Sequence, residues 1–112
     1  MITLSRPPSL NHLYGRNGHR TYITPKGKAW FEEAGWQLKS QWKKKTIMGD
    51  VALYIMYYYC GRFDWDNGNK ALSDLFTKMG VYKDDKQVNF AQIQLVKVPH
   101  REDQKVEVEI DY

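Results

Sequence analysis

The sequence predicts a fold that combines strands with two main helices, and three stretches carry that expectation. Val51 to Tyr59, VALYIMYYY, is rich in β-branched and aromatic residues and apolar on both faces. It reads as the central strand of a sheet, with both faces covered. Thr24-Pro25, followed by apolar residues at helical spacing, opens one helix. A second apolar stripe between residues 66 and 80 marks the other. With 112 residues, one domain over 1–112 is expected.

Taken in order, Met1 to Leu4 is a short strand, ended by Arg6-Pro7-Pro8-Ser9, where neither proline donates a backbone hydrogen bond. Leu10 to Arg20 reads as a polar loop. Its Asn11, His12, Tyr14, Arg16 and Arg20 suit contact with phosphates and bases, or a solvated surface. The first helix is expected from Thr24 as N-cap to about Lys44. Trp30, Phe31, Ala34, Leu38 and Trp42 share its core face, and Trp36 lies opposite. Lys43-Lys44-Lys45 would complement the helix dipole or contact phosphate. Gly49-Asp50 is a turn, and Cys60-Gly61 ends the central strand.

The second helix is expected to start at Asp66 or Asn67 and end by Gly80, which suits a C-cap. Gly68, Leu72, Leu75, Phe76 and Met79 form its apolar face. Asp66, Lys70 and Asp74 stack on the other, beside Ser73 and Thr77. By itself that spacing is also ordinary helix support. Lys83-Asp84-Asp85-Lys86 is a polar turn. Val88 to Val98 is a long strand whose alternation slips near Phe90-Ala91, as at a bulge. Pro99 to Gln104 reads as a hairpin loop, and Val106-Glu107-Val108-Glu109-Ile110 as a half-exposed strand.

The bulk properties close several classes. At 42% hydrophobic and 14% aromatic residues, disorder is excluded. The net charge of +4 is a mild bias that permits a polyanionic partner. Cys60 is alone, so no internal disulfide forms, and no Cys/His set has zinc spacing. No signal pattern appears, and no apolar run approaches the roughly 20 residues of a membrane span. A soluble, reducing, cytoplasmic setting is the default expectation. Gly-rich phosphate loops, nucleophile elbows and Cys/His pairs are likewise missing from the sequence.

What remains is acidic. Asp64 and Asp66 stand two apart, Lys70 follows, and Asp84-Asp85 comes one helix later. Clustered carboxylates repel one another unless a cation offsets them, and Mg²⁺ or Mn²⁺ prefers hard oxygen ligands. Two such ions about 4 Å apart can align a water for in-line attack on a phosphodiester. Lys70 can pair with the carboxylates or with the phosphate. A metal-dependent nuclease is therefore expected. A non-catalytic DNA-binding module, with the aspartates only capping helices, is the alternative.

The residues also carry a likeness. Asp64-Trp65-Asp66-Asn67-Gly68-Asn69-Lys70-Ala71-Leu72-Ser73-Asp74-Leu75, then Gly80-Val81-Tyr82-Lys83-Asp84-Asp85-Lys86-Gln87-Val88, resembles the RusA family of Holliday junction resolvases. Pro7-Pro8-Ser9-Leu10-Asn11 and Tyr22-Ile23-Thr24-Pro25-Lys26 resemble it too. The resemblance implies a small α+β homodimer with a mixed sheet that binds branched DNA, four-way junctions in particular. It would cut two opposed strands with Mg²⁺, for which Mn²⁺ would substitute, in recombination or repair. By motif position Asp64, Asp66 and Asp85 would ligate metal, and Lys70 would be the functional lysine. Asp84 and Asp74 are possible auxiliaries. Arg62, Phe63, Lys83 and Lys86, with Asn11, Arg16 and Arg20, are candidates for DNA contact, and Phe63 would wedge between bases or pack internally. Small resolvases of this type look phage-like, which suggests a phage or prophage origin.

Overall fold

The computed structural model describes residues 1–8 and 10–112. Six strands and three helices follow in the order β1 (Ile2–Leu4), α1 (Leu10–Leu13), β2 (Tyr14–Asn17), β3 (Arg20–Ile23), α2 (Pro25–Gln41), β4 (Val51–Tyr59), α3 (Trp65–Lys78), β5 (Val88–Lys97) and β6 (Lys105–Asp111). Asp85–Gln87 and Arg101–Asp103 form single 3₁₀ turns.

The main sheet is mixed, as expected, in the order β1-β6-β4-β5. β4 runs parallel to β5 through the α3 crossover and antiparallel to β6. The segment 99–104 is therefore not a hairpin loop: β5 and β6 flank β4 on opposite sides, and the connection passes over the end of β4. The most apolar strand takes the central place because it gains most from neighbours on both edges. The expected bulge is present, one residue early, at the register shift where Val51 faces Val88 and Ala52 faces Phe90.

The core lies on one face of the sheet. Val51, Leu53, Ile55 and Tyr57 of β4, Val106 and Val108 of β6, and Ile2 and Leu4 of β1 are buried there. They meet Ala71, Leu72, Leu75 and Phe76 of α3 and Trp30, Phe31, Ala34 and Leu38 of α2. Each large side chain so buried contributes about 1.5–3 kcal/mol. The opposite face is not covered as expected. Tyr54 and Phe90 are exposed there and pack on each other at 5.7 Å, beside Glu109 and Gln92. Their phenol and ring edges tolerate water, so an apolar-looking strand serves a one-sided sheet.

The stretch 10–20 is not a polar loop: it contains α1 and one strand of the β2–β3 hairpin. Thr24 accepts from Gly27 N–H at 3.0 Å, as an N-cap should, and donates to the carbonyl of His12. The helix ends three residues early, at Gln41. Trp42 leaves the helical path and meets Tyr112 edge-on at 5.9 Å, so Lys43, Lys44 and Lys45 lie beyond the helix. Trp36 is exposed opposite the core face, as expected. The α3 face also differs at its end, where Met79 is exposed.

β1 is an edge strand whose outer side is closed by side chains. Gln41 accepts from Thr3 N–H and donates to Thr3 C=O, both at 2.7 Å. Gln37 accepts from Ser5 N–H at 2.8 Å. Two glutamines one helical turn apart thus stand in for a neighbouring strand.

Candidate active site

The acidic motif begins where β4 ends. Gly61 adopts φ +77°, a left-handed conformation that a side chain would strain, and turns the chain out of the sheet. Asp64, rather than Asp66, is the N-cap of α3. Its Oδ1 accepts from Asp66 N–H at 3.2 Å, and its Oδ2 accepts from the Asn67 amide at 2.8 Å. Asp66 is therefore in the first turn, exposed, and its side chain has no hydrogen bond among the described residues.

Lys70 stands one turn on, its Nζ 5.8 Å from the centre of the Tyr14 ring. The Tyr14 hydroxyl donates to Asp74 Oδ2. Burial, with the Asp74 hydrogen bond and charge adding to it, holds the Tyr14 phenol well above its ordinary range. Asp74 is thus occupied with Tyr14 and fixes the hairpin to α3. Behind the motif, the buried Tyr57 hydroxyl donates to Asn69 Oδ1 at 2.5 Å, locking the rotation of α3 on the sheet. Gly68 permits that close seat: a Cβ there would stand 2.8 Å from Phe63 Cζ and 3.3 Å from the Tyr57 ring.

The second acidic element comes from the 3₁₀ turn. Asp84 caps it, accepting from Lys86 N–H at 2.9 Å. That backbone bond, then its neighbour Asp85, holds the Asp84 carboxyl below its ordinary range. Gln87 anchors the turn: its Oε1 accepts from Lys83 N–H at 2.8 Å and Asp84 N–H at 3.0 Å. Its Nε2 donates to the carbonyls of Ile47 at 2.8 Å and Gly49 at 2.9 Å. Asp85 is left free of capping. It flanks a cleft of about 210 Å³ with Asn69 and Ser73 of α3 and Val88 and Ala91 of β5.

Asp85 therefore lies along the flank of α3 that carries Asn69 and Ser73. Asn69 and Ser73 lie three and seven residues beyond Asp66, about 4.5 to 10 Å along the helix axis. Among the described residues no three acidic, His or Cys side chains gather closely enough to form a ligand group. The donor chemistry nonetheless fits a hard divalent cation: carboxylates from two elements, with no thiolate or imidazole beside them.

The other candidates disperse. Arg16 and Arg20 are exposed on the hairpin, and Lys83 and Lys86 are exposed beside the 3₁₀ turn. The side chain of Asn11 lies outside the described residues. Phe63 is packed, its ring 4.8 Å from Tyr57 and 6.1 Å from Tyr59, under the Arg6 guanidinium at 5.0 Å. The exposed aromatic of the motif is Trp65, between the two aspartates. Tyr57 and Gln87 escaped the sequence reading, and Tyr14, read there as a candidate for phosphate or base contact, bonds Asp74 instead. Gln87 had a signal, since Asp84-x-x-Gln87 is capping-box spacing.

The sequence model of the family described as Endodeoxyribonuclease RusA matches residues 5–111. A protein of Escherichia coli K12 named crossover junction endodeoxyribonuclease RusA is 32% identical over 111 residues, covering 97% of this chain and 91% of its own. Proteins of the same name from Enterobacteria phage 82 and Shigella sonnei show the same identity and coverage.

Proposed function

We propose, from the premise that this chain belongs to the RusA family of endodeoxyribonucleases, that it hydrolyses phosphodiesters at four-way DNA junctions in paired, Mg²⁺-dependent cuts. What supports this reading is that Asp85 flanks a cleft with Asn69 and Ser73 of α3, the helix that Asp64 caps and that carries Asp66 and Lys70. Asp64, Asp66 and Asp85 would hold the cation, which would supply Lewis-acid activation of the phosphate and of an attacking water. Mn²⁺ would substitute for Mg²⁺ with the same ligands.

The chain's own groups supply position and charge. Lys70, whose Nζ lies over the Tyr14 ring, would meet a phosphate oxygen or orient the water. Hydrolysis then joins the water oxygen to phosphorus and releases the sugar oxygen, which takes up a proton. One site per chain makes one cut, so paired cuts on a two-fold junction call for a two-fold homodimer. The named relatives, one of them from a phage, support a role in recombination and repair and a phage or prophage origin. Among the described residues no helix is long and apolar enough to cross a membrane.

One observation favours a second reading. Asp64 and Asp84 both act as caps, and the acidic side chains are not gathered into a ligand group among the described residues. A junction-binding module without catalysis would look like this.

The deciding experiment is nicking of a synthetic four-way junction against a linear duplex of the same sequence, in Mg²⁺ and in EDTA. Paired, metal-dependent cuts on the junction alone are expected. Tight junction binding without cuts in Mg²⁺ or Mn²⁺ would establish the module instead.

A further inference from the structure

Beside the acidic motif, on the far side of Phe63, lies a second concavity of about 590 Å³. Its walls come from the Pro-Pro segment, the start of α2, the end of the β4–α3 connection and the turn before β6. Arg6, Lys26, Arg62 and Arg101 supply four formal positive charges, and His12 adds a titratable ring. Glu33 is the lone acid.

None of these cations is in an ion pair among the described residues, where the ion pair found is Lys105–Glu107 at 3.9 Å. Arg6 is the telling member. It is half-buried, stacks on Phe63 and has no carboxylate partner among the described residues. Burial lowers its guanidinium from the ordinary value, with Cys60 opposing that shift and the like charge of Arg101 adding to it. Lys26, Arg62 and Arg101 reach the same concavity with exposed side chains, so four cations and one acid line one surface, an arrangement that an anion relieves.

The recess also has a direction. Arg62 lines it, and Asp64 follows two residues later across Phe63. Pro7 and Pro8 stiffen one wall, and Trp30 Nε1 donates to the carbonyl of Ser5 at 3.0 Å, holding Arg6 in place.

We propose that this recess binds the phosphodiester backbone of the DNA arm leading away from the cut, with Arg6 and Arg101 clamping a phosphate and Arg62 bridging toward Asp64. The assignment rests on the nuclease reading for the direction of the arm but not for the binding itself.

The test is the salt dependence of junction binding in EDTA, where no cutting occurs. Arg6→Gln and Arg101→Gln are each expected to weaken binding about tenfold and to lower the log Kd–log salt slope by about one. Arg6→Lys, which keeps the charge, should restore most of the slope. Lys39→Gln, beside Trp36 and away from the recess, should change neither quantity. If Arg6→Gln fails to fold, Arg101→Gln carries the test alone.

Unchanged affinity and slope in Arg101→Gln would overturn the recess while leaving the nuclease reading intact. A lowered slope in a protein that never cuts would support the recess and overturn the nuclease. No binding of the junction by the native chain would overturn both.

Discussion

At the residue scale, Asp66 separates the two functional readings most sharply. Asp64 has a structural task as a cap, whereas Asp66 is exposed and holds nothing in place among the described residues. Asp66→Asn should therefore leave folding and junction binding intact and reduce cleavage beyond the roughly 10–100-fold typical of outer-shell changes. Full activity, or loss of binding with cleavage, in gel assays would remove Asp66 from the ligand set. Gln87 poses a different question, because its side chain bonds backbone groups and anchors the 3₁₀ turn on which Asp85 stands. Gln87→Ala breaks four hydrogen bonds around the 3₁₀ turn. It should lower stability by about 1–3 kcal/mol in urea unfolding. It should also raise the Mn²⁺ concentration needed for half-maximal cleavage, which a merely structural glutamine would not do. The aspartates and Lys70 stood out as candidates because their spacing is a local property. The Tyr14–Asp74 and Tyr57–Asn69 bonds did not, since their partners lie 60 and 12 residues apart.

At the element scale, the start of α3 is capped by Asp64, a proposed metal ligand, and the two roles can be pulled apart. Asn caps a helix about as well as Asp. Asp64→Asn should keep the thermal midpoint within a few degrees while abolishing Mg²⁺-dependent cleavage; Asp64→Ala should lose about 1 kcal/mol as well. An Asp64→Asn protein that still cuts would leave Asp64 as a cap alone. Local signals were legible to differing degrees. Thr24-Pro25 was read correctly as the start of α2, whereas α3 starts at Trp65 with Asp64 as its cap, before the expected Asp66, and its C-cap is Met79, one residue before Gly80. The end of α2 depends on Trp42 reaching Tyr112, seventy residues away, which no helical pattern contains. The β2–β3 hairpin was missed although Asn17-Gly18, with Gly18 at φ +63°, is a hairpin signal. Its strands are too short and too polar to show alternation.

At the scale of the whole molecule, the two helices and mixed sheet follow from the sequence, but the order of strands does not. A loop such as 99–104 looks the same whether its strands pair or straddle a third; only the competition for β4 decides. The same core sets a limit on alkaline stability. Burial holds the Tyr57 phenol well above its ordinary value of 10.0, and Tyr82 is raised by burial, with the charges of Asp85 and Asp74 adding to it. Both are neutral when folded, so their contribution is complete below about pH 10. Above it the unfolded chain loses these protons first, and stability falls. Tyr57 alone accounts for up to about 1.4 kcal/mol per pH unit. Thermal midpoints between pH 8 and 11.5 should show that fall, and Tyr57→Phe should flatten it. Finally, the β2–β3 ribbon forms its own two-stranded sheet, its second strand wholly exposed. Such a ribbon is barely stable alone in water, so its order is lent by the Tyr14 bond to Asp74 and by the Thr24 N–H bond to Leu13 C=O. Its amides should then exchange with deuterium long before those of β4, and Tyr14→Phe should speed them further. The ribbon becomes a clock: slowing of exchange across Arg16 to Tyr22 on adding a junction would time the moment at which DNA takes over what α3 otherwise supports.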